Sequence, residues 1–194
     1  MWFTIHNVLA GTQIRKLISG GLIKFDGTVR GNALLLTLGN CLLEFARRRT
    51  IDPWDENSVR KAYKPQRNNW KSYDLEPGRS VLISAMEYLA LPYDLGGIIG
   101  TLSHVARLGL FAHFSSPHVG PTYRGHLALE LLNCSPHILR LQPSMPVAKV
   151  ILLKTTGRDP ARGLSAIPFY YNSQPASLVD LRSRFWEEFK RIDK

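Results

Sequence analysis

The pattern of apolar and polar positions is clearest from Gly125 to Asn133, where it alternates with period 2. Leu127, Leu129 and Leu131 fall on one side of an extended strand; His126, Ala128, Glu130 and Leu132 fall on the other. Further strand-type runs are NALLLTLGNCLLEF (residues 32–45), VLISAMEYLALP, LGGIIGTL, VARLGLFAHF and HILRLQPSMPVAKVILLKT. Gly39-Asn40 predicts a turn or bulge inside the first, and Gln142-Pro143 and Pro146 break the last. Gly and Pro divide these runs at intervals of roughly 8–12 residues, the spacing of a sandwich or barrel. Helical spacing shows only near the ends. Thr12 is a candidate N-cap for TQIRKLIS, which Gly20-Gly21 stops. SLVDLRSRFWEEFKRIDK places Leu178, Leu181, Phe185, Trp186 and Phe189 on one side of a second helix. The prediction is a mostly β domain spanning 1–194, with a polar loop or insertion at 46–72 and a C-terminal tail with a helix at 157–194.

Composition fits one ordinary globular domain, with 44% hydrophobic and 21% charged residues in 194. No apolar run reaches the roughly 18 residues that cross a bilayer, and the N-terminus lacks the basic start of a signal peptide. Cys41 and Cys134 are far apart and lack metal spacing, so a reduced cytoplasmic setting is expected. The net charge of +10 changes the picture more. It points to an anionic partner, although excess Lys and Arg can also serve solubility alone. Arg47-Arg48-Arg49 and RKAYKPQRNNWK concentrate some of that charge. The second stretch interleaves basic and aromatic residues as nucleic-acid binders do, without a recognised module signature.

Chemistry enters with Glu130. A carboxylate between Ala128 and Leu132 on one strand face must be paired and hydrogen-bonded if buried, or its pKa rises. It can equally be a half-exposed Glu or one half of a structural ion pair. His104, His113, His118, His126 and His137 lack a ligand pair on one helix face, so no metal site is expected.

The block LSHVARLGLFAHFSSPHVGPTYRGHLALELLN, with ILRLQPSMPVAKVILL after it, resembles the core of the dCTP deaminase and dUTPase superfamily. The resemblance covers about residues 10–45 and 73–155 and favours the deaminase branch. It implies a dUTPase-like distorted β-barrel or jelly-roll, and hydrolytic deamination of dCTP or a related cytosine nucleotide without zinc. Glu130 then corresponds to the general base that activates water, and Arg107 and Ser103 complete the catalytic group. Tyr123 takes the place of an aromatic ring against the deoxyribose, and Ser116 and Gly120 fall among the substrate-binding positions. The resemblance also implies a homotrimer, and Mg²⁺ carried on the nucleotide triphosphate.

Three positions depart from the family. Leu102 stands where an Arg binds phosphate, His104 where a second Ser stands, and Gly120 where an Asp contacts the sugar 3′-hydroxyl. The triphosphate-contacting spacing of the family's C-terminal segment is missing, although Tyr170, Tyr171 and Gln174 lie in that region. A catalytically inactive nucleotide-binding regulator or structural subunit is therefore the alternative. A dUTPase ranks third, because Gly120 replaces its water-orienting Asp.

Overall fold

A computed structural model describes residues 8–47, 49–52, 55–114 and 116–155. In chain order its elements are α1 (Gly11–Ser19), β1 (Lys24–Phe25), β2 (Val29–Arg30), β3 (Ala33–Glu44), α2 (Glu56–Arg60), β4 (Arg67–Asn68) and β5 (Tyr73–Leu75). There follow β6 (Ser80–Ala90), β7 (Leu95–Thr101), α3 (Ser103–Ala106), β8 (Leu110–Phe111), β9 (His118–Val119), β10 (Arg124–Asn133), β11 (Leu139–Leu141) and β12 (Pro146–Lys154). The predicted C-terminal helix lies outside the described residues. No helix among the described residues is long and apolar enough to cross a membrane.

The main sheet runs β8-β10-β6-β3-β12-β7-β9 and is curled, which bears out the mostly β expectation. β1 adds to β6, β2 and β4 add to β3, and β5 pairs separately with β11. Every pairing among the described residues is antiparallel. The alternation in the sequence is what buries the sheet's concave face. Leu34, Leu36 and Leu38 from β3, Val81 and Ile83 from β6, and Leu127, Leu129 and Leu131 from β10 meet in one core with Val150 and Leu152. Truncating one such leucine to alanine costs about 2–5 kcal/mol.

The expected irregularity at Gly39-Asn40 is present as a register shift between Leu38 and Leu42 against β6. A Cβ at Gly39 would stand 2.8 Å from the Ser84 carbonyl oxygen, so only glycine lets the two strands approach there. The Trp70 indole closes the bulge by donating to the Gly39 carbonyl at 3.0 Å.

Several sequence expectations need correction. α1 begins after Ala10 rather than at Thr12, because the Gln13 side chain turns back to accept from the Ala10 amide at 2.9 Å. VARLGLFAHF is not a strand. Its first part is the single turn α3, and only Leu110–Phe111 pair, with Leu132 and Asn133. Gly109 makes the switch possible: its φ is 83°, and a Cβ there would strike Ser135 at 2.7 Å. The 46–72 segment is not all loop either. Asp55 caps α2 through the Asn57 amide, Phe45 bridges to Tyr63, and β4 joins β3. Charge fixes this segment to β3, since Glu44 accepts from Lys64 at 2.5 Å and from Arg67 at 2.9 Å.

Candidate functional site

Glu130 lies near the end of β10, opposite Leu82 of β6. Its face of the strand is the outer one. Ala128 is exposed, and Glu130 and Leu132 are half-buried. The tension expected from sharing a face with Ala128 and Leu132 therefore does not arise from burial alone. The buried carboxylate of the main sheet is instead Glu87 on β6, and it is fully occupied. It accepts from the Thr37 amide at 2.9 Å and the Thr37 hydroxyl at 2.7 Å, which makes it a structural cross-tie between β6 and β3.

Two features distinguish Glu130 from a solvated surface acid. The chain returns over it after β8, and the Phe114 amide donates to its Oε2 at 3.1 Å. It also lines a cavity of about 350 Å³ together with Phe45, Tyr63, Ser80, Leu82, Phe114 and Leu132. Phe45 and Tyr63 stack with ring centroids 4.8 Å apart, so the bridge between them builds an aromatic wall facing the carboxylate. Electrostatics link the two sides. Burial raises the Tyr63 phenol above its ordinary pKa, and the negative charge of Glu130 raises it further. The result is a carboxylate oriented by one backbone donor and facing a hollow with aromatic walls. Such a group can accept a proton from water and return it to a planar substrate held there.

Ser103 opens α3 and Arg107 closes it, with the Arg107 amide donating to the Ser103 carbonyl at 3.1 Å. Both side chains are exposed. Ser103 lines a second cavity, of about 260 Å³, which includes Leu102 and His104. Ser103 and Glu130 thus border different cavities of the same chain. The Tyr123 side chain is 6% exposed and packs into the core, and its carbonyl accepts from the Leu91 amide at 2.9 Å. Ser116 is exposed and Gly120 half-exposed. A Cβ on Gly120 would meet only His118, at 3.8 Å, so the backbone does not require glycine there.

Sequence reasoning misses Phe45, Tyr63 and Phe114 as walls of the Glu130 cavity. Phe45 ends a predicted strand and Tyr63 belongs to the polar insertion, and no periodicity joins them. It also misses Asn133, which is fully buried. Its amide donates to the carbonyls of Leu75 and His137 at 2.8 and 2.7 Å, and its oxygen accepts from the Ser135 amide and hydroxyl. Asn133 thereby fixes the end of the strand that carries Glu130 to β5. Among the described residues, no group of three His, Cys, Asp or Glu side chains gathers with metal-binding geometry.

Residues 8–155 match the model of a family described as dCTP deaminase-like. A protein of Methanoregula boonei described as "dCTP deaminase, dUMP-forming" is 27% identical over 176 residues, covering 88% of this chain and 95% of its own length. One with the same description from Acidothermus cellulolyticus is 34% identical over 117 residues, or 60% of each chain. Another, from Methanoculleus marisnigri, is 27% identical over 192 residues, covering 96% of this chain and all of its own. Among solved structures, the 2′-deoxycytidine 5′-triphosphate deaminase of Agrobacterium tumefaciens superposes with a TM-score of 0.61 at 20% identity. That match covers 77% of this chain and 48% of the other, and it is a likeness of fold.

Proposed function

The chain belongs to the dCTP deaminase-like family, and from that membership we propose that it hydrolytically deaminates dCTP or a closely related cytosine nucleotide to the uracil nucleotide. The observation that carries this is Glu130, its carboxylate fixed by the Phe114 amide and facing a cavity with aromatic walls. Near-full-length similarity to proteins described as dUMP-forming dCTP deaminases supports it.

In the proposed reaction Glu130 removes a proton from water as the oxygen attacks C4 of cytosine. The carboxyl then passes that proton to the ring nitrogen, takes the remaining proton from the new C4 hydroxyl and gives it to the amino group, and the C4–N bond breaks with release of ammonia. The ring ends as uracil, so water and the amino group account for every atom exchanged. Arg107 would stabilise the charge that develops on the ring, and the Ser103 hydroxyl would hold the water. Ser103 borders a different cavity from Glu130 within one chain. A second copy in a homotrimer would bring its α3 turn against the first copy's Glu130 and complete the group. Tyr123, Ser116 and Gly120 remain the proposed nucleotide-contacting positions. Mg²⁺ would arrive as part of the substrate, held by phosphate oxygens as this hard, well-hydrated ion prefers.

The test is incubation of the purified protein with dCTP and Mg²⁺, followed by nucleotide chromatography and an ammonia assay. Stoichiometric ammonia with dUTP or dUMP is the expected result. Binding of dCTP with no ammonia would instead identify an inactive nucleotide-binding member of the family.

A further inference from the structure

The basic segment after β3 has no part in the proposed reaction, yet the fold gathers its charge around one cleft. Between residues 46 and 72 eight Lys and Arg stand against three Asp and Glu, a net of five positive charges and half of the chain's +10. The cleft, of about 560 Å³, lies between this segment and the turn from β5 into β6. Arg47, Arg49 and Lys64 line it from the segment, and Arg79 from the turn. The backbone of Arg79 is fixed: its carbonyl accepts from the Asn133 amide at 3.1 Å, and Gly78 turns the chain beside it with a φ of 67°. Glu44 is the one carboxylate among the described lining residues, and Lys64 and Arg67 already meet its charge. Arg47, Arg49 and Arg79 are exposed and form no ion pair among the described residues. Three unneutralised guanidinium groups around one hollow repel each other, and an entering anion relieves that repulsion.

Aromatic surface accompanies the charge. Phe45 and Tyr63 also line the cleft, stacked with ring centroids 4.8 Å apart, and Phe45 is 41% exposed. Cations beside an exposed ring suit a strand of unpaired nucleotides, since the cations take phosphates and the ring takes the face of any base. We infer that this cleft binds single-stranded nucleic acid, with phosphates on Arg47, Arg49 and Arg79 and a base against the Phe45–Tyr63 stack. The inference is independent of the deaminase proposal, because neither Glu130 nor any reaction enters it.

Size and surroundings favour a strand over other polyanions. At about 560 Å³ the cleft falls within the roughly 300–1,000 Å³ of pockets that enclose drug-sized ligands, which is room for one nucleotide unit. Lys61 and Lys71 of the same segment are exposed outside the cleft. Positive surface therefore continues beyond the space that a single nucleotide fills, as the backbone of a strand does. A duplex keeps its base faces stacked and offers Phe45 none of them. The segment matches no sequence module because half of the site, the Arg79 turn, comes from elsewhere in the chain.

The experiment is fluorescence anisotropy of a labelled oligothymidylate of about 20 nucleotides, which carries no cytosine, titrated with the full chain at several salt concentrations. The parent is compared with a cleft variant combining Arg47→Ala, Arg49→Ala and Arg79→Ala. A control combining Lys16→Ala, Lys24→Ala and Lys154→Ala removes the same charge from exposed positions elsewhere. Melting temperatures are checked first, and the single arginine substitutions replace the combination if it melts early. The cleft variant should bind about tenfold more weakly or worse. Its slope of log affinity against log salt should be shallower by about two, from three lost phosphate contacts at about 0.7 each. The control should stay within about threefold of the parent. An abasic oligomer and a duplex of the same length should each bind the parent several-fold more weakly than oligothymidylate, and dTTP at equal nucleotide concentration should not displace the strand. A parent that fails to bind oligothymidylate at low salt would overturn the inference, as would equal losses in the cleft and control variants. Abasic oligomer bound as tightly as oligothymidylate would reduce the cleft to a general polyanion surface, and displacement by dTTP would make it a mononucleotide site; either result also overturns the inference.

Discussion

Glu130 and Glu87 are two strand carboxylates with opposite fates. Thr37 supplies Glu87 with an amide and a hydroxyl, and its lone pairs are committed to holding strands together. Glu130 accepts from the Phe114 amide and lines a cavity. Gly120 tells a similar story by subtraction. The φ and surroundings of that residue accept a side chain, with only His118 at 3.8 Å from a built Cβ. Glycine there is not a backbone necessity. Gly120→Asp is expected to melt like the parent and to lower the KM for dCTP about tenfold, the worth of one hydrogen bond to a charged group. Steady-state kinetics on dCTP and CTP would check it, and an unchanged KM would show that this position does not reach the sugar. The strand face of Glu130 is readable from sequence because side chains alternate strictly along a strand. Its exposure is not, because apolar neighbours such as Leu132 can line an open cavity as readily as a closed core.

At the scale of elements, the segment after β3 decides how that cavity is enclosed. Phe45 and Tyr63 meet because the chain between them forms α2 and returns, with Glu44 anchoring Lys64 and Arg67 beside the bridge. Burial pushes the Glu44 carboxyl up, but hydrogen bonds and charge from Lys64 and Arg67 outweigh it and leave the pKa below 4.5. A folded pKa below the unfolded one stabilises the native state above the unfolded value and ceases to do so as pH falls through the folded value. The melting-temperature gap between the parent and Glu44→Gln should therefore be constant from neutral pH down to about 4.5 and shrink below it. A gap that persists unchanged into stronger acid would show that the ion pairs do not anchor the segment.

These elements also mark where sequence stops being informative. The long strands β3, β6, β10 and β12 each span enough residues to display period 2. The helix α3 is one turn, too short for a 3.6-residue repeat to separate from the apolar positions Val105, Leu108 and Leu110. The insertion reads as loop because its order comes from Glu44 and a Phe45–Tyr63 stack, contacts across 18–23 residues that no local propensity encodes.

For the molecule as a whole, one copy places the Ser103 turn and the Glu130 strand on different cavities, while the outer side keeps apolar surface around the edge strand β8. Leu108, Phe111, Phe114 and Ile138 are between 48% and 66% exposed, all within or beside the segment that returns over Glu130. A trimer that covers this surface would bring together residues one chain keeps apart. Light scattering at micromolar concentration should give the mass of three 21.9-kDa chains, and Phe111→Lys should shift it toward one. A monomer that still deaminates would contradict a shared site. The excess of positive charge fits the same picture, since a polyanionic substrate is attracted to a +10 protein before any specific contact forms.

The central claim is that Glu130 activates the water that attacks cytosine, and a single comparison addresses it. Parent and Glu130→Gln are each given dCTP and Mg²⁺, with nucleotide affinity measured by calorimetry and uracil nucleotide by chromatography. The account predicts that the parent forms dUTP or dUMP and that Glu130→Gln binds dCTP within a few-fold of the parent while turnover falls by about 10²–10⁴. A Glu130→Gln protein that deaminates dCTP at the parent's rate would contradict it, and the base would have to be sought on another residue.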